Sequence, residues 1–304
     1  MSRRKSGRNV HGIILLDKRL GVSSNRALQE VKRLFNANKA GHTGALDPLA
    51  TGLLPLCFGE ATKVSAMMLD DNKRYQAVVK LGVMTDTGDS EGKVIEQKPV
   101  PELSQQMIEN CLNHFLGEID QVPPMYSALK HNGKKLYELA REGKTVERKA
   151  RRINIFELKL LASTADTLTL DVFCSKGTYI RSLAEDIGHN LGCGGTIIEL
   201  RRTQAGQFKL EDALTIEQCQ AMPLEQLMAS LLSVDQPLQE IPIIELSTQQ
   251  AVLIKHGQQI EHEAESIQGM VRMYSEQVFL GLGEMLLNGK LVPKKIFNLS
   301  GEAA

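Results

Sequence analysis

One carboxylate stands out by its surroundings. Asp47 lies in Gly41-His42-Thr43-Gly44-Ala45-Leu46-Asp47-Pro48-Leu49-Ala50-Thr51-Gly52-Leu53-Leu54-Pro55, a stretch that three glycines and two prolines interrupt. By pattern it is neither helix nor strand. It reads as an ordered loop that its apolar residues, Leu49 to Leu56, anchor in a core. A carboxylate held against an apolar wall is suited to act as a nucleophile or a general base. An Asp-Pro pair in a glycine-rich loop also has a plainer explanation in turn chemistry. The same loop carries one imidazole, His42. Three more groups sit in short, unusual contexts: Tyr75 in K-R-Y, Tyr179 with Arg181 in K-G-T-Y-I-R, and the arginines after Leu200. Taken singly, Tyr75 reads as a cross-strand aromatic and Tyr179 as a packing residue at a helix start. Arg181 reads as a surface charge, although a cation near a helix N-terminus is mildly disfavoured by the dipole and points to a specific partner.

Several other chemistries lose ground. The chain has no G-x-x-x-x-G-K-[ST], no G-x-G-x-x-G after a strand, no H-E-x-x-H and no G-x-S-x-G. Its five cysteines (Cys57, Cys111, Cys174, Cys193, Cys219) form no C-x-x-C pair, so neither a zinc site nor a disulfide framework is expected. Buried thiols in a reducing cytosol fit better. What remains is a lone carboxylate, aromatics, arginines and a basic segment. That set suits work on a nucleic-acid base flipped out and stacked on an aromatic.

Elements must position these groups. Residues 12–17 (G-I-I-L-L-D) predict a short buried strand. Ser23, Ser24 or Asn25 then caps a helix with Ala27, Leu28, Val31, Leu34 and Phe35 on one face. After the Asp47 loop, residues 60–69 predict a helix and 73–81 a strand. The polar turn 85–92 has closely spaced acids but lacks the length and closing glutamate of an EF-hand loop, so a hairpin connection is expected. An amphipathic helix should span 101–115. Strands are expected at 153–161, 168–173 and 196–203. A helix carries Ile180, Leu183, Ala184, Ile187 and Leu191, and another covers 223–232. Residues 235–246, with Pro237 and Pro242, read as a linker, and short segments beyond them predict a small β-rich domain.

Charge divides the chain. The net charge is zero, yet residues 205–304 hold six basic against thirteen acidic residues, leaving the front portion basic. From Ala128 to Arg152 nine residues are basic and three acidic. That segment, with a small helix near Lys134 to Arg141 and little to bury, reads as a projecting insertion that grips an anionic partner. The short apolar run 13–16 cannot be a signal peptide or membrane span, so no membrane association and an intracellular, cytoplasmic location are expected.

The loop 41–55 closely resembles the catalytic segment of the TruB family of tRNA pseudouridine synthases. Further blocks resemble that family: L-L-D-K-x-x-G-x-S-S near Leu15, K-R-Y at Tyr75, P-P-M-Y-S-A-L-K at Pro123, K-G-T-Y-I-R at Lys176 and L-R-R at Leu200. The likeness runs from residue 10 to about 235. The tail resembles the small RNA-binding PUA-type domain of bacterial members. One departure is Arg19, where the family usually has proline; it bears on the rigidity of that turn, not on the chemistry.

The resemblance implies a mixed α/β fold, with a largely antiparallel sheet flanked by helices. Residues 1–9 would be a mobile basic arm, 10–238 the catalytic domain with a thumb at about 124–152, and 239–304 the PUA-like domain. It implies isomerisation of the uridine at the position the family labels 55 in the T arm of tRNA, by a monomer with no obligatory protein partner, cofactor or metal. Asp47 would attack C1′ or C6, or remove the 2′ proton. Arg181 would be its bidentate ion partner. Tyr75 would stack on the flipped uracil and take the C5 proton. Tyr179 and Leu200 would wall the pocket, His42 would approach the space the base vacates, and Lys18 would be a structural or RNA-side contact near the loop. Lys130, Lys134, Lys135 and Arg148 would grip RNA from the thumb. Two other readings start from the same residues: an RNA-folding module that does not depend on catalysis, and a glycosidase pairing Asp47 with Asp86 or Asp89. Nothing in the sequence sets the second carboxylate at the separation a glycosidase needs.

Overall fold

An apolar run without a polar face suits a strand covered on both sides. In the computed structural model, which describes residues 7–262 and 267–299, that run forms β1 (Gly12–Lys18) of a ten-stranded sheet. Helix α1 (Ser24–Leu34) follows, with Ser23 as its cap accepting from the Arg26 amide, a contribution of about 1 kcal/mol. Next come β2 (Ala40–His42), β3 (Thr51–Phe58), a 3-10 turn at Gly59–Lys63 and the short α2 (Ser65–Leu69). After β4 (Lys73–Leu81) the hairpin β5 (Val83–Thr85) and β6 (Val94–Gln97) leaves the sheet. Then follow α3 (Gln105–Asn113), β7 (Gly117–Gln121), the small pair β8 (Lys130–His131) and β9 (Lys134–Lys135), and α4 (Leu136–Arg141). The first unit closes with β10 (Arg151–Ser163), β11 (Thr167–Cys174), α5 (Ile180–Asn190), β12 (Gly195–Ala205), β13 (Phe208–Lys209), β14 (Leu214–Thr215), α6 (Ile216–Ala221) and α7 (Leu224–Ala229).

The sheet runs β14-β1-β3-β12-β4-β11-β10-β7, with β13 on β12 and β2 on β3. Only β1 with β14 and β3 with β12 pair parallel, so the largely antiparallel α/β sheet is observed. Alternation along β1 explains its continuous apolar run. Ile14 and Leu16 enter the core under the helices, while Ile13 and Leu15 enter a second core on the other face. On β3, Leu54, Leu56 and Phe58 share the first core and Leu53 and Cys57 the second.

A second sheet, β15 (Ile243–Glu245), β17 (Gly269–Ser275), β18 (Val278–Met285), β19 (Lys290–Ile296) and β16 (Ile260–Glu261) in that order, follows with helix α8 (Thr248–Lys255). Phe279, Leu282 and Phe297 lie in the same core as Ile13, Leu15 and Leu53, so this sheet packs on the back of the first. All five cysteines are buried and free.

Four expectations need correction. The Asp47 loop ends early: residues 51–55 belong to β3, including Gly52 and Pro55. Tertiary pairing overrides the breakers, because Pro55 falls where β3 changes partners on one edge, from β12 at Thr51–Gly52 to β2 at Leu56–Phe58. The helix expected over 60–69 divides into the 3-10 turn and α2. Residues 235–246 are not a free linker, since Asp235 accepts from Arg272 Nη1 at 3.0 Å and β15 joins the second sheet. Of the arm expected at 1–9, residues 1–6 lie outside the described residues. Arg8 donates its amide to Asn36 O at 2.7 Å, so the arm's end is tied down.

Candidate active site

The loop between β2 and β3 is held by ties on both sides of Asp47. Ser24 Oγ donates to Leu46 O at 3.0 Å and accepts from the Leu46 amide at 2.7 Å. The Gly21 amide donates to Pro48 O at 2.9 Å, and the Ala50 amide to Asp47 O at 3.0 Å. Leu46, Leu49 and Ala50 are buried. Arg202 donates through Nε to Leu53 O at 2.7 Å and through Nη2 to Gly44 O at 3.2 Å. Only glycine fits at position 52: its φ is +98°, and a Cβ there would lie 2.3 Å from Arg202 O.

Arg181, on the first turn of α5, is 5% exposed. Its Nη2 stands 3.0 Å from Asp47 Oδ2 and donates to Tyr126 O at 2.7 Å. Its Nη1 donates to Thr87 O at 2.7 Å and lies 3.6 Å from Asp89 Oδ2. The ion pair with Asp47 is therefore single, not bidentate, because the other nitrogen is turned to the β5–β6 turn. Asp47 is half-buried. Withdrawal from solvent pushes its carboxyl above the usual range; Arg181 pulls it down and Asp89 adds to the rise. Asp89 is buried and accepts from Thr87 Oγ1 at 2.6 Å and the Glu91 amide at 3.1 Å. Asp86 accepts from the Lys93 amide at 2.8 Å. Both carboxylates weighed as glycosidase partners are thus engaged locally.

These groups line a cleft of about 670 Å³ together with Tyr126, Tyr137 and Arg141. Tyr137 and Arg141 belong to α4 of the basic insertion, so the insertion forms one wall of the cleft.

Tyr75 and Leu200 lie on the neighbouring strands β4 and β12 and are not among the residues that line this cleft. Tyr75 faces Arg202 across β4 and β12, and Leu200 faces Ala77 one pleat on, so the two are diagonal neighbours on one face. Burial raises the Tyr75 phenol, while the Arg202 charge pulls it back down. Tyr179 is half-buried, and its backbone is clasped by Gln121: the Tyr179 amide donates to Oε1 at 2.8 Å and Nε2 donates to Tyr179 O at 3.0 Å. His42 is half-buried, and its buried Nδ1 has no hydrogen-bond partner. Burial, helped by Arg202, lowers its imidazole from the ordinary value, so it is neutral at neutral pH.

Lys18 does not face solvent. It is 1% exposed and donates to Val22 O at 2.6 Å, Arg19 O at 3.1 Å and Pro48 O at 3.4 Å. Burial lowers its ammonium to about 8, against the opposing pull of Asp47. A buried ammonium engaged by three carbonyls cannot grip RNA directly, so of the two roles expected for Lys18 the structural one fits. The insertion's cations are spread out. Lys130 is exposed, Lys134 lies 3.4 Å from Glu142, Lys135 stands 5.5 Å above the Tyr137 ring, and Arg148 donates to Pro123 O at 3.1 Å.

Sequence reasoning missed the burial of Asp89 behind Arg181, the Ser24 tie, the cleft-lining Tyr137 and Arg141, and the contacts of Arg202. The L-R-R block pointed to Arg202 without distinguishing it from Arg201. Among the described residues no cluster of His, Cys, Asp or Glu could hold a metal ion, and no helix is long and apolar enough to cross a membrane.

Three family models match consecutive stretches. The TruB family pseudouridylate synthase N-terminal domain matches residues 32–180, the tRNA pseudouridylate synthase B C-terminal domain 181–239, and the pseudouridine synthase II TruB C-terminal region 242–297. The chain is 50% identical over 306 residues to tRNA pseudouridine synthase B of Chromohalobacter salexigens, covering 100% of both chains. It is also 50% identical over 306 residues to tRNA pseudouridine synthase B of Mannheimia succiniciproducens, covering 98% of this chain and 100% of the relative. Among solved structures, a chain of a Cbf5-Nop10-Gar1 complex superposes with a TM-score of 0.70 at 24% identity, over 96% of this chain and 85% of the other. A chain of an H/ACA RNP bound to a substrate RNA containing 2′-deoxyuridine gives 0.70 at 21% identity, over 98% and 92%. These two likenesses concern the fold alone. Full-length identity of one half to such relatives, with family models matched along most of the chain, makes this protein a member of the TruB family of pseudouridylate synthases, which are isomerases.

Proposed function

We propose that this protein converts uridine 55 in the T arm of tRNA to pseudouridine, with Asp47 as the reacting carboxylate. The observation that carries the reading is the Asp47–Arg181 pair, a half-buried carboxylate 3.0 Å from a buried guanidinium at the wall of an open cleft. Relatives named tRNA pseudouridine synthase B, 50% identical along their whole length, support the choice of RNA.

The reaction is an isomerisation, so atoms balance within the substrate and water. The N1–C1′ bond breaks and its electron pair leaves with the uracil. Asp47, ionised with the help of Arg181, attacks C1′ or C6 or takes the C2′ proton as positive charge develops at C1′. The uracil, stacked on Tyr75 with Leu200 and Tyr179 as walls, turns until C5 meets C1′ and bonds to it; Asp47 is freed as its bond to carbon breaks or, where it took the C2′ proton, as it returns that proton to C2′. The C5 proton then passes to the Tyr75 oxygen, whose own proton goes to water, and N1 takes a proton from water. Burial around Leu200 keeps bulk water from the detached base. His42, neutral and beside the loop, suits the apolar space that the flipped base leaves. The basic insertion would close on the stem-loop, reading backbone and splayed bases. We read residues 10–238 as the catalytic unit and 239–304 as a PUA-like unit that extends the RNA surface.

The test is incubation of the protein with an unmodified T-arm stem-loop, followed by chemical mapping of pseudouridine. Absence of product from the wild type would overturn the function. Product formed by Asp47→Asn at the wild-type rate would overturn the mechanism. Retained tRNA binding and refolding by Asp47→Asn would add a folding role. A uridine deuterated at C2′ shows a large primary isotope effect if Asp47 is the base there and only a small secondary one if it attacks carbon.

A further inference from the structure

Arg201 and Arg202 are adjacent on β12 and point to opposite faces of the sheet. Arg201 has an ordinary partner: its Nη2 and Nη1 reach the two carboxylate oxygens of Asp17 at 2.6 and 3.1 Å. Arg202 has no such partner. It is 1% exposed, it donates to the carbonyls of Leu53 and Gly44, and among the described residues no carboxylate lies within ion-pair distance of it. Burying a cation without a counter-ion is costly. An apolar side chain of similar volume would fill the space without that cost, so packing does not explain the charge.

We propose that Arg202 is a positioning residue for the isomerisation: it pins the backbone on both sides of Asp47, at Gly44 and Leu53, and holds a permanent positive charge beside Tyr75. The proposal rests on the reading above in which Tyr75 receives the C5 proton.

The geometry supplies both halves. Gly44 and Leu53 bracket Asp47 in the chain, so one planar guanidinium fixes the two ends of the reacting loop to the central sheet. Arg202 and Tyr75 are cross-strand partners with their side chains on the same face. The charges of Arg202 on β12, Cys174 on β11 and Asp47 in the loop all act on the Tyr75 phenol, and of these Arg202 is the one that favours its ionised form. In the last step the C5–H bond breaks and its electron pair enters the ring. The proton goes to the Tyr75 oxygen as the hydroxyl proton leaves to water. Negative charge builds on that oxygen during the exchange, and a fixed cation beside it needs no reorganisation to stabilise it. The same charge disfavours protonation of His42, Lys18 and Lys73 around the site.

The experiment uses full-length Arg202→Met and Arg202→Lys. Absorbance titration of tyrosinate, taken as the difference between each background and its Tyr75→Phe partner, isolates the ionisation of Tyr75. It should move to higher pH in Arg202→Met and stay near the wild type in Arg202→Lys while the lysine is charged. Single-turnover rates on saturating stem-loop should fall about 10–100-fold in Arg202→Met, the range seen when the outer partner of a metal ligand is removed. RNA affinity should change little, and Arg202→Lys should recover part of the rate. An unmoved Tyr75 titration in Arg202→Met, or equal rate losses in both variants, would overturn the proposal. Should Arg202→Met fail to fold, Arg202→Lys decides alone: its rate should drop as the buried lysine loses its proton at alkaline pH, and a profile parallel to the wild type refutes the role. Failure of the underlying reading looks different. Wild type without product sinks the function, and a full rate in Tyr75→Phe sinks the role of Tyr75, while the titration still reports on Arg202.

Discussion

Arg181 reaches Asp47 with a single nitrogen, Nη2 at 3.0 Å from Oδ2, while its Nη1 lies 3.6 Å from Asp89. The guanidinium is therefore shared between a half-buried carboxylate at the cleft and a buried one behind it. Burial pushes the Asp47 carboxyl up and Arg181 pulls it down. The acid limb of the single-turnover rate should lie above the ordinary carboxylate range of about 4. In Arg181→Met that limb should move further towards neutral pH, besides any loss of rate. A limb that stays in place, or moves down, would show that Arg181 does not govern the ionisation of Asp47.

The same shift predicts a stability effect of opposite sense to the activity. A carboxyl whose folded value lies above its unfolded one binds its proton more tightly in the folded state. Its stabilisation is present below the unfolded value and is lost as pH rises through the folded value. At neutral pH, ionised Asp47 should thus cost stability. Asp47→Asn should unfold at a higher temperature than the wild type at pH 7, with the gap closing as pH falls towards 4. Thermal unfolding across that range measures it. A variant less stable at pH 7 and equal in acid would reverse the sign and refute the argument.

Much of the insertion's charge is exposed and loosely paired. Lys130 and Lys134 face solvent, and Lys134 has only a 3.4 Å contact with an exposed Glu142. Arg148 is different, being half-buried and donating to Pro123 O where the insertion leaves the sheet. Replacing Lys130, Lys134 and Lys135 by Ala should weaken stem-loop binding and flatten its salt dependence by about one unit of logarithmic slope for each phosphate no longer neutralised. Arg148→Ala should weaken binding with less change in slope, because it removes a brace as well as a charge. Binding titrations at several salt concentrations decide. Equal slopes for wild type and triple variant would mean that these lysines do not meet phosphate.

The largely antiparallel sheet and the pairing of Asp47 with Arg181 were legible through the short blocks that resemble the TruB family, while periodicity marked only the separate strands and helices. β3 was not. Gly52 and Pro55 break any local strand pattern, and the segment becomes a strand only because β1, β12 and β2 supply partners in three dimensions. Asp89 was named only as a possible second carboxylate beside Asp86, since burial of a carboxylate behind Arg181 has no local signature. The two arginines after Leu200 look alike in the sequence. Which of them is paired and which is buried depends on the register of β12 against β4, which residue types alone do not set. The supposed linker failed for a related reason. Pro237 and Pro242 mark an irregular backbone, but irregular is not the same as free, as Asp235 illustrates.

Asp235 is buried, and its Oδ2 accepts from Arg272 Nη1 at 3.0 Å and from the Tyr274 hydroxyl. Arg272 is buried too, and also donates to Ile241 O at 2.9 Å and Gln239 O at 3.3 Å. The contact stands where the first sheet hands over to the second, beside the shared core of Leu238, Phe279 and Phe297. Burial works against the charge on Asp235, but hydrogen bonds from Tyr274, Ser233 and Arg272 outweigh it and hold the carboxyl below the usual range. A carboxyl lowered in this way contributes stability above its unfolded value and loses it as pH falls through the folded one. Asp235→Ala leaves Arg272 buried without a counter-ion and should cost about 3–5 kcal/mol in denaturant unfolding at pH 7. The loss should shrink below pH 4, where the carboxyl of the unfolded wild-type chain begins to take up its proton, and vanish as pH falls through the folded value. Pairing the change with Arg272→Met removes the stranded cation, so the double variant should be more stable than Asp235→Ala alone. Strictly additive losses, or an Asp235→Ala protein as stable as the wild type, would show that the pair does not hold the two sheets together.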